Sequence, residues 1–114
     1  MTGPTDIGSA PHYVWGDGCD GWRLMNTPGL SVIEERMPPA TSEVRHRHGS
    51  SEQCFYVLSG TLTLEVEGAV HRIGRRQAIT VTPPASHQAR NEGTEDVRFL
   101  VVSAPSTRGD RENP

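Results

Sequence analysis

The sequence predicts an all-β fold, a sandwich or barrel built from short strands. Glycine and proline supply 12 and 9 of the 114 residues, which is many turn formers for so short a chain. Only 33% of the residues are hydrophobic, which suits a barrel with a small interior better than a thick α/β core. No long segment repeats its apolar residues with the helical period.

About ten short strands are predicted in succession. The predicted ranges are 12–15, 22–25, 30–36, 44–48, 53–58, 61–67, 69–73, 78–81, 86–90 and 97–102. Polar and apolar residues alternate most clearly over 61–67, as they do in a half-buried strand. We predict one domain over residues 1–114, with its core at about 30–104, a flexible N-terminal start and a flexible polar C-terminal tail.

Turn residues separate these strands. A glycine-rich loop is predicted at 16–21, between the first two strands. The third strand carries β-branched Val32 and Ile33 and ends before Pro38 and Pro39. Glu67 and Gly68 form a hairpin turn, whereas the two prolines in 82–85 cannot continue a ladder because proline has no backbone N–H.

Three histidines and a glutamine form a candidate metal site. His46 and His48 are two residues apart, so on a strand both imidazoles point to the same face. Gln53 follows on the next predicted strand, and His87 lies on a later one. Neutral imidazoles bind divalent ions, and Zn, Ni, Cu, Fe and Mn are all compatible with this set. His12 and His71 lack such neighbours and are predicted to lie on the surface.

The first of these blocks resembles the first motif of the cupin superfamily. In that family the motif is His-x-His, three or four residues, Glu, six residues and Gly. Here it is His46-x-His48, four residues, Gln53, six residues and Gly60.

The second block, at 82–91, resembles the end of the second cupin motif, with His87 and Asn91 at the family's positions. The resemblance covers about Leu30 to Ala104 and is that of a small single-domain cupin. It implies a jelly-roll barrel, also called a double-stranded β-helix, whose interior encloses a cavity.

Three residues depart from the family's pattern. Pro84 and Arg76 stand where the second motif has glycine, so we expect altered loops there, because glycine adopts conformations that arginine and proline do not. Gln53 stands where the first motif has glutamate. With a neutral fourth ligand a divalent ion keeps its full charge, which favours a Lewis-acid role and excludes a 2-His-1-carboxylate iron centre from these four groups. The amide is also a weaker ligand, so we expect lower metal affinity.

Two glutamates compete with Gln53 as the fourth ligand. Glu52 fits the spacing from His48 but not the spacing to Gly60, and it falls on the opposite face of its strand. Glu43 lies on the wrong face relative to His46 and would need a bulge to reach a metal. Candidates for lining a pocket are Phe55, Val57 and Phe99, with a core role as the alternative.

The function predicted from these residues is that of a metal-dependent enzyme acting on a small organic molecule. The resemblance implies dioxygenase, isomerase, lyase, cyclase and decarboxylase chemistry as candidates, and the fold does not choose among them. The alternatives are a non-catalytic small-molecule-binding or sensory cupin, and a degenerate member without chemistry.

Composition and patterning limit which partners and which cellular compartment we expect. The net charge is −3 and no basic stripe is present, so we expect no nucleic acid partner. No apolar run could span a bilayer, and Cys19 and Cys54 are predicted to be free thiols, so we expect a cytoplasmic protein with no membrane partner. Outward apolar groups at Cys54, Tyr56 and Leu58 predict a homodimer, across which Tyr13, Trp15 and Trp22 could pack.

Overall fold

A computed structural model describes residues 3–112 of the chain. Over that range the backbone forms eleven β-strands: β1 (His12–Trp15), β2 (Cys19–Asn26), β3 (Ser31–Met37), β4 (Arg47–His48), β5 (Glu52–Ser59), β6 (Leu62–Val66), β7 (Ala69–Ile73), β8 (Ala78–Val81), β9 (His87–Arg90), β10 (Val97–Ala104) and β11 (Arg111–Glu112). No helix in this range is long and apolar enough to cross a membrane. The predicted all-β fold is confirmed.

The strands assemble into antiparallel sheets. Six of them form one sheet in the order β1-β2-β3-β10-β5-β8, three form a second in the order β7-β6-β9, and β11 pairs with β4. The order β3-β10-β5 places a strand from the end of the chain between two early ones, so the central pairings join residues far apart in sequence. An isolated bridge between His46 and His87 ties the segment before β4 to β9.

Two predicted elements differ from those observed. β2 begins at Cys19, inside the predicted loop, because Gly16 and Gly18 adopt positive φ angles of 55° and 80° and turn the chain so that Trp15 pairs with Cys19. The predicted strand at 44–48 is regular only at Arg47–His48 and is preceded by two isolated bridges.

Burial alternates along the central strands with the period of two that β-structure imposes. The inward side chains are Gln53, Phe55 and Val57 in β5, and Val97, Phe99, Val101 and Ser103 in β10. One part of the interior is filled by fully buried apolar side chains, namely Met37, Val57, Leu62, Leu64, Val97 and Phe99. The remainder holds a cavity of about 260 Å³.

Gly60 and Asn91 hold the turns that flank this core. Gly60 has a φ of 77°, and a Cβ there would meet the carbonyl oxygen of Asp96 at 2.5 Å, so the position requires glycine. The buried Asn91 amide donates to the carbonyl oxygens of Met37 and Glu95, each at 2.8 Å. Asn91, a residue of the second motif, therefore stabilises the turn before β10.

Arg76 adopts the conformation that glycine would favour at its position. Its φ is 68°, and its N–H donates to the carbonyl oxygen of Val57 at 2.8 Å. The expectation that arginine could not follow the glycine backbone here is wrong. The side chain is exposed, so only the local steric cost of about 1–2 kcal/mol opposes this conformation.

The chain after β10 returns to the barrel as a C-terminal strap, residues 105–112. β11 in the strap pairs with β4, with Arg111 opposite His48. The Asp110 carboxylate accepts backbone N–H bonds from the loop after β4, and Ser51 Oγ donates to the carbonyl oxygen of Pro105 at 2.6 Å. A polar composition was the only sequence signal for this segment, and it did not predict the pairing.

Candidate metal centre

Three buried imidazoles converge beside the cavity, and two of them, those of His46 and His48, line it. One ligand atom from each of His46, His48 and His87 lies within 4.8 Å of the other two. The closest pair is His46 and His87, whose ring centroids are 4.5 Å apart. These two residues exchange backbone hydrogen bonds of 2.8 and 3.0 Å across the bridge between their segments, which places their side chains side by side.

A bulge shapes the segment that leads into the first histidine. Ser42 pairs with Arg90, and His46 pairs with His87. The first segment therefore advances by four residues between the two bridges, whereas its partner advances by three. This extra residue is the bulge that Glu43 would need to face the cavity, and Glu43 does line it. Glu43 Oε2 accepts the N–H of Ala89 at 2.8 Å, and Oε1 lies 3.6 Å from His46 Nδ1.

Backbone carbonyl groups orient two of the imidazoles. His46 Nδ1 lies 2.8 Å from the carbonyl oxygen of Val44, and His87 Nδ1 lies 3.2 Å from that of Ala85. A carbonyl oxygen only accepts, so each Nδ1 carries the hydrogen and each Nε2 is left with a lone pair. Histidines that bind metals commonly donate their other ring N–H to such a group, which fixes the tautomer and the ring orientation.

Buried polar atoms without partners mark the same place. His48 Nδ1, His87 Nε2 and Gln53 Oε1 are buried and have no hydrogen-bond partner among the described residues. Unsatisfied buried atoms are rare in native proteins and call for an explanation. Each of these three can present a lone pair, and imidazole nitrogens with an amide oxygen form a donor set that fits a divalent metal ion.

Burial keeps the imidazoles neutral. It lowers the pKa of His46 to about 4, against the opposing effect of its bond to Val44. The pKa values of His48 and His87 are also lowered, again mainly by burial. All three rings are therefore in the unprotonated form at neutral pH, which is the form that binds a metal.

Gln53 lines the cavity and its amide is oriented by a neighbour. Gln53 Nε2 donates to Ser103 Oγ at 3.1 Å, which leaves Oε1 as the atom without a partner. Glu52, the alternative one residue earlier, is exposed on the opposite face. Of the other predicted lining residues, Phe55 borders the cavity, whereas Val57 and Phe99 are fully buried in the core cluster.

The opposite side of the cavity carries groups that the sequence did not single out as functional. Tyr13, Trp15 and Glu35 line it, and Tyr13 Oη donates to Glu35 Oε2 at 3.2 Å. Arg23 lies over the Tyr13 ring, with its guanidinium carbon 4.2 Å from the centroid. Tyr13 and Trp15 were expected to pack across a dimer, but within one chain they already belong to the cavity wall; the homodimer itself stays a prediction.

Glu35 lies in the cavity wall, where burial changes its acidity. Burial raises its pKa to about 7, while its bond to Tyr13 and the charge of Arg111 act in the opposite direction. Burial also raises the pKa of Glu43, to about 8, and the charge of Glu35 adds to that rise. A signal for Glu35 was present in the sequence, because it lies between Ile33 and Met37 on the inward face of β3.

Comparisons with known proteins agree with this architecture. The polyketide cyclase RemF from Streptomyces resistomycificus has a similar structure with a TM-score of 0.83, at 20% identity, over 99% of this chain and 85% of that one. An RmlC-like cupin from Shewanella frigidimarina also gives 0.83, at 16% identity and with 96% of both chains covered. These likenesses confirm the jelly-roll fold.

Sequence comparisons reach the same family. The polyketide synthase protein TcmJ from Streptomyces glaucescens is 29% identical over 69 residues, which are 60% of this chain. The matched segments make up only 46–60% of the curated relatives' own lengths. The cupin domain family model matches residues 33–103, more than half of the chain. The chain therefore belongs to the cupin family.

Proposed function

We propose that this protein is a metal-dependent enzyme that moves a proton on a small carbonyl compound, as in isomerase, lyase or cyclase reactions. The observation that carries the proposal is that two of the three clustered histidines, His46 and His48, line the same small cavity as a carboxyl group of raised pKa. Enzymes commonly tune a carboxyl group towards neutrality when it must both accept and donate a proton.

His46, His48 and His87, with Gln53 as the fourth ligand, would hold the ion. A divalent ion bound there would supply Lewis-acid polarisation of a substrate oxygen. The neutral amide of Gln53 leaves the charge of the ion undiminished, which favours this role. Ser103 keeps the amide oriented, with the Oε1 atom free. Zn, Ni, Cu, Fe and Mn remain the candidate ions.

Glu35 is proposed to carry the proton. With a pKa of about 7, its ionised and protonated forms are both well populated at neutral pH. The carboxylate accepts a proton from the carbon beside the substrate carbonyl group, and the resulting acid returns it to another atom of the substrate. Burial also raises the pKa of Tyr13, so its phenol stays protonated and keeps donating to Glu35.

The size and the relatives support a small, oxygen-rich substrate. The cavity of about 260 Å³ is slightly smaller than the usual ligand pocket, and Trp15 and Phe55 provide aromatic surface beside the polar groups. TcmJ is a polyketide synthase protein and RemF is a polyketide cyclase. Cyclisation of a compound rich in carbonyl groups requires the proton transfers proposed here.

Proton exchange tests the proposal without knowledge of the natural substrate. Small ketones and 2-oxo acids, including pyruvate, are incubated with metal-loaded protein in heavy water, and loss of the signal beside the carbonyl group is followed by proton NMR. We expect exchange that depends on the metal and falls by about 100-fold or more in Glu35→Gln, the range for loss of a general base.

Glu34→Gln is the matched control, since Glu34 lies one residue away and pairs with Arg98 at 3.2 Å outside the cavity. Exchange at the protein-free rate for every compound would contradict the enzyme hypothesis. Binding of such a compound without exchange would support the non-catalytic alternative instead.

A further inference from the structure

A single arginine reaches the cavity from the C-terminal strap. Among the described residues Arg111 is the only basic side chain, histidines apart, that lines the cavity. It lies directly opposite His48 in the pairing of β11 with β4, so the two side chains leave the ladder on the same face. The strap therefore delivers a positive charge to the mouth of the site.

Within residues 3–112 this charge has no carboxylate partner. Six other arginines form ion pairs, for example Arg36 with Asp20 at 2.7 Å and Arg45 with Glu65 at 2.7 Å, and none of the remaining ones besides Arg111 lines this cavity. Within residues 3–112 no Asp or Glu oxygen lies within 4 Å of the Arg111 guanidinium. Its one hydrogen bond runs from Nη2 to the carbonyl oxygen of Val44 at 3.2 Å. A guanidinium has five N–H donors, so most of its donors are unused.

The strap is anchored on both sides of this residue. The Asp110 carboxylate accepts N–H bonds from Gly49, Ser50 and Ser51 at 3.0, 3.1 and 2.9 Å. On the other side, Glu112 Oε1 binds Arg47 Nε at 2.9 Å. Two neighbouring anchors hold the backbone of Arg111 in place, so its side chain can be presented to the cavity at little further entropic cost.

The electrostatic effect of Arg111 extends across the site. Its positive charge opposes the rise in the pKa of Glu35 and Glu43 and adds to the lowering of the pKa of His46. The same charge would attract an anionic ligand into the cavity.

We propose that Arg111 recognises an anionic group, a carboxylate, on the small molecule that this cavity binds. The ligand is then a small organic acid, with its carboxylate on the Arg111 guanidinium and its apolar part against Trp15 and Phe55. Guanidinium groups bind carboxylates in bidentate fashion, which gives orientation as well as affinity. This inference deepens the proposed function by naming the substrate class, and it rests on that function only for the reaction that follows binding.

Benzoate and benzamide test the inference on metal-free protein. They share shape and ring but differ in charge, and binding is followed by the fluorescence of Trp15 in a Trp22→Phe background, since the chain has two tryptophans. We expect benzoate to bind about tenfold or more tightly than benzamide, the factor that a hydrogen bond to a charged group supplies. Arg111→Gln is expected to remove this preference.

Arg108→Gln is the matched control, because Arg108 lies in the same strap but outside this cavity and should keep the preference. Equal binding of the two compounds by the Trp22→Phe protein, or a preference that survives in Arg111→Gln, would overturn the inference. The metal content of Arg111→Gln is measured in parallel. Metal lost in this variant would assign Arg111 to the support of the histidines and overturn its proposed separate role.

Discussion

The residues on the two sides of the cavity are distributed differently along the sequence. The histidine side takes His46, His48 and Gln53 from one short stretch and adds His87 from a strand that pairs beside it. The acid side takes Tyr13 and Glu35 from two separate strands, and Arg111 reaches the cavity from the C-terminal strap, beside His48. One side is a local motif closed by a single long-range pairing, whereas the other exists only through the folded topology.

The two sides also divide the chemistry. Neutral imidazoles with fixed tautomers and unpartnered lone pairs face a place suited to a cation. Across the cavity a carboxyl group of raised pKa suits proton transfer, and the guanidinium of Arg111, beside His48, suits anion binding. The comparison teaches that the motif specifies the histidine cluster, and that under the proposed function the other wall decides which reaction follows. Variants that damage one side and spare the other test this division.

The largest effect is expected from Gly21→Ala, which breaks the acid side. A Cβ at this position would overlap the ring of Tyr13, so the ring must leave its place or the strand must shift. We expect the free energy of unfolding to fall by about 1–3 kcal/mol, the usual cost of overpacking, while the metal content stays unchanged. Chemical denaturation measures the loss. Gly29→Ala, where a Cβ meets nothing within 4 Å, is the control.

A second variant, Gln53→Glu, tests whether Gln53 belongs to the donor set on the histidine side. The carboxylate would add a negative charge where Oε1 now lacks a partner, and Ser103 could donate to it. We expect divalent ions to bind roughly tenfold more tightly, about 1.4 kcal/mol, as measured by competition with a chelator. Gln77→Glu adds the same charge at an exposed site beside β8 and should leave the affinity as it is. Unchanged affinity in Gln53→Glu would remove Gln53 from the donor set.

Asp110→Asn should loosen the strap that carries Arg111. The three N–H bonds hold the pKa of Asp110 below its ordinary value, so this anchor is present at neutral pH and is lost as the pH falls through that lowered pKa. We expect benzoate affinity to fall several-fold, towards that of Arg111→Gln, because the guanidinium is no longer held in place. Asp17→Asn, at an exposed loop residue, should bind benzoate as the parent does.

The smallest effect is expected at Arg76, which departs from the second cupin motif and lies on neither side of the cavity. Arg76→Gly should raise the free energy of unfolding by about 0.5–1 kcal/mol, because glycine adopts a φ of 68° without steric cost. Arg75→Gly offers a matched pair. Arg75 is also exposed but is not among the residues with positive φ, so glycine there should lower stability. If both variants destabilise the protein, the strain assigned to Arg76 is absent.

How much could be predicted from the sequence also differs between the two sides of the cavity. Strands were predictable because alternation and turn residues are local properties, and the histidines because a strand places residues i and i+2 on one face. Glu43 could not be assigned to the cavity, since its orientation depends on a bulge of one residue that no local pattern announces. Arg111 lies in a polar segment that carries no local pattern, and nothing short of the folded barrel brings it beside His48.

Metal content tests the central claim most directly. The wild-type protein, His46→Ala, His87→Ala and a surface control, His71→Ala, are loaded with a divalent ion, freed of excess and analysed for bound metal. His71 is exposed on β7. We predict stoichiometric metal in the wild type and in His71→Ala, and loss of most of it in both His46→Ala and His87→Ala. Metal content that stays at the wild-type value in His46→Ala and His87→Ala would contradict the assignment of this cavity as a metal centre.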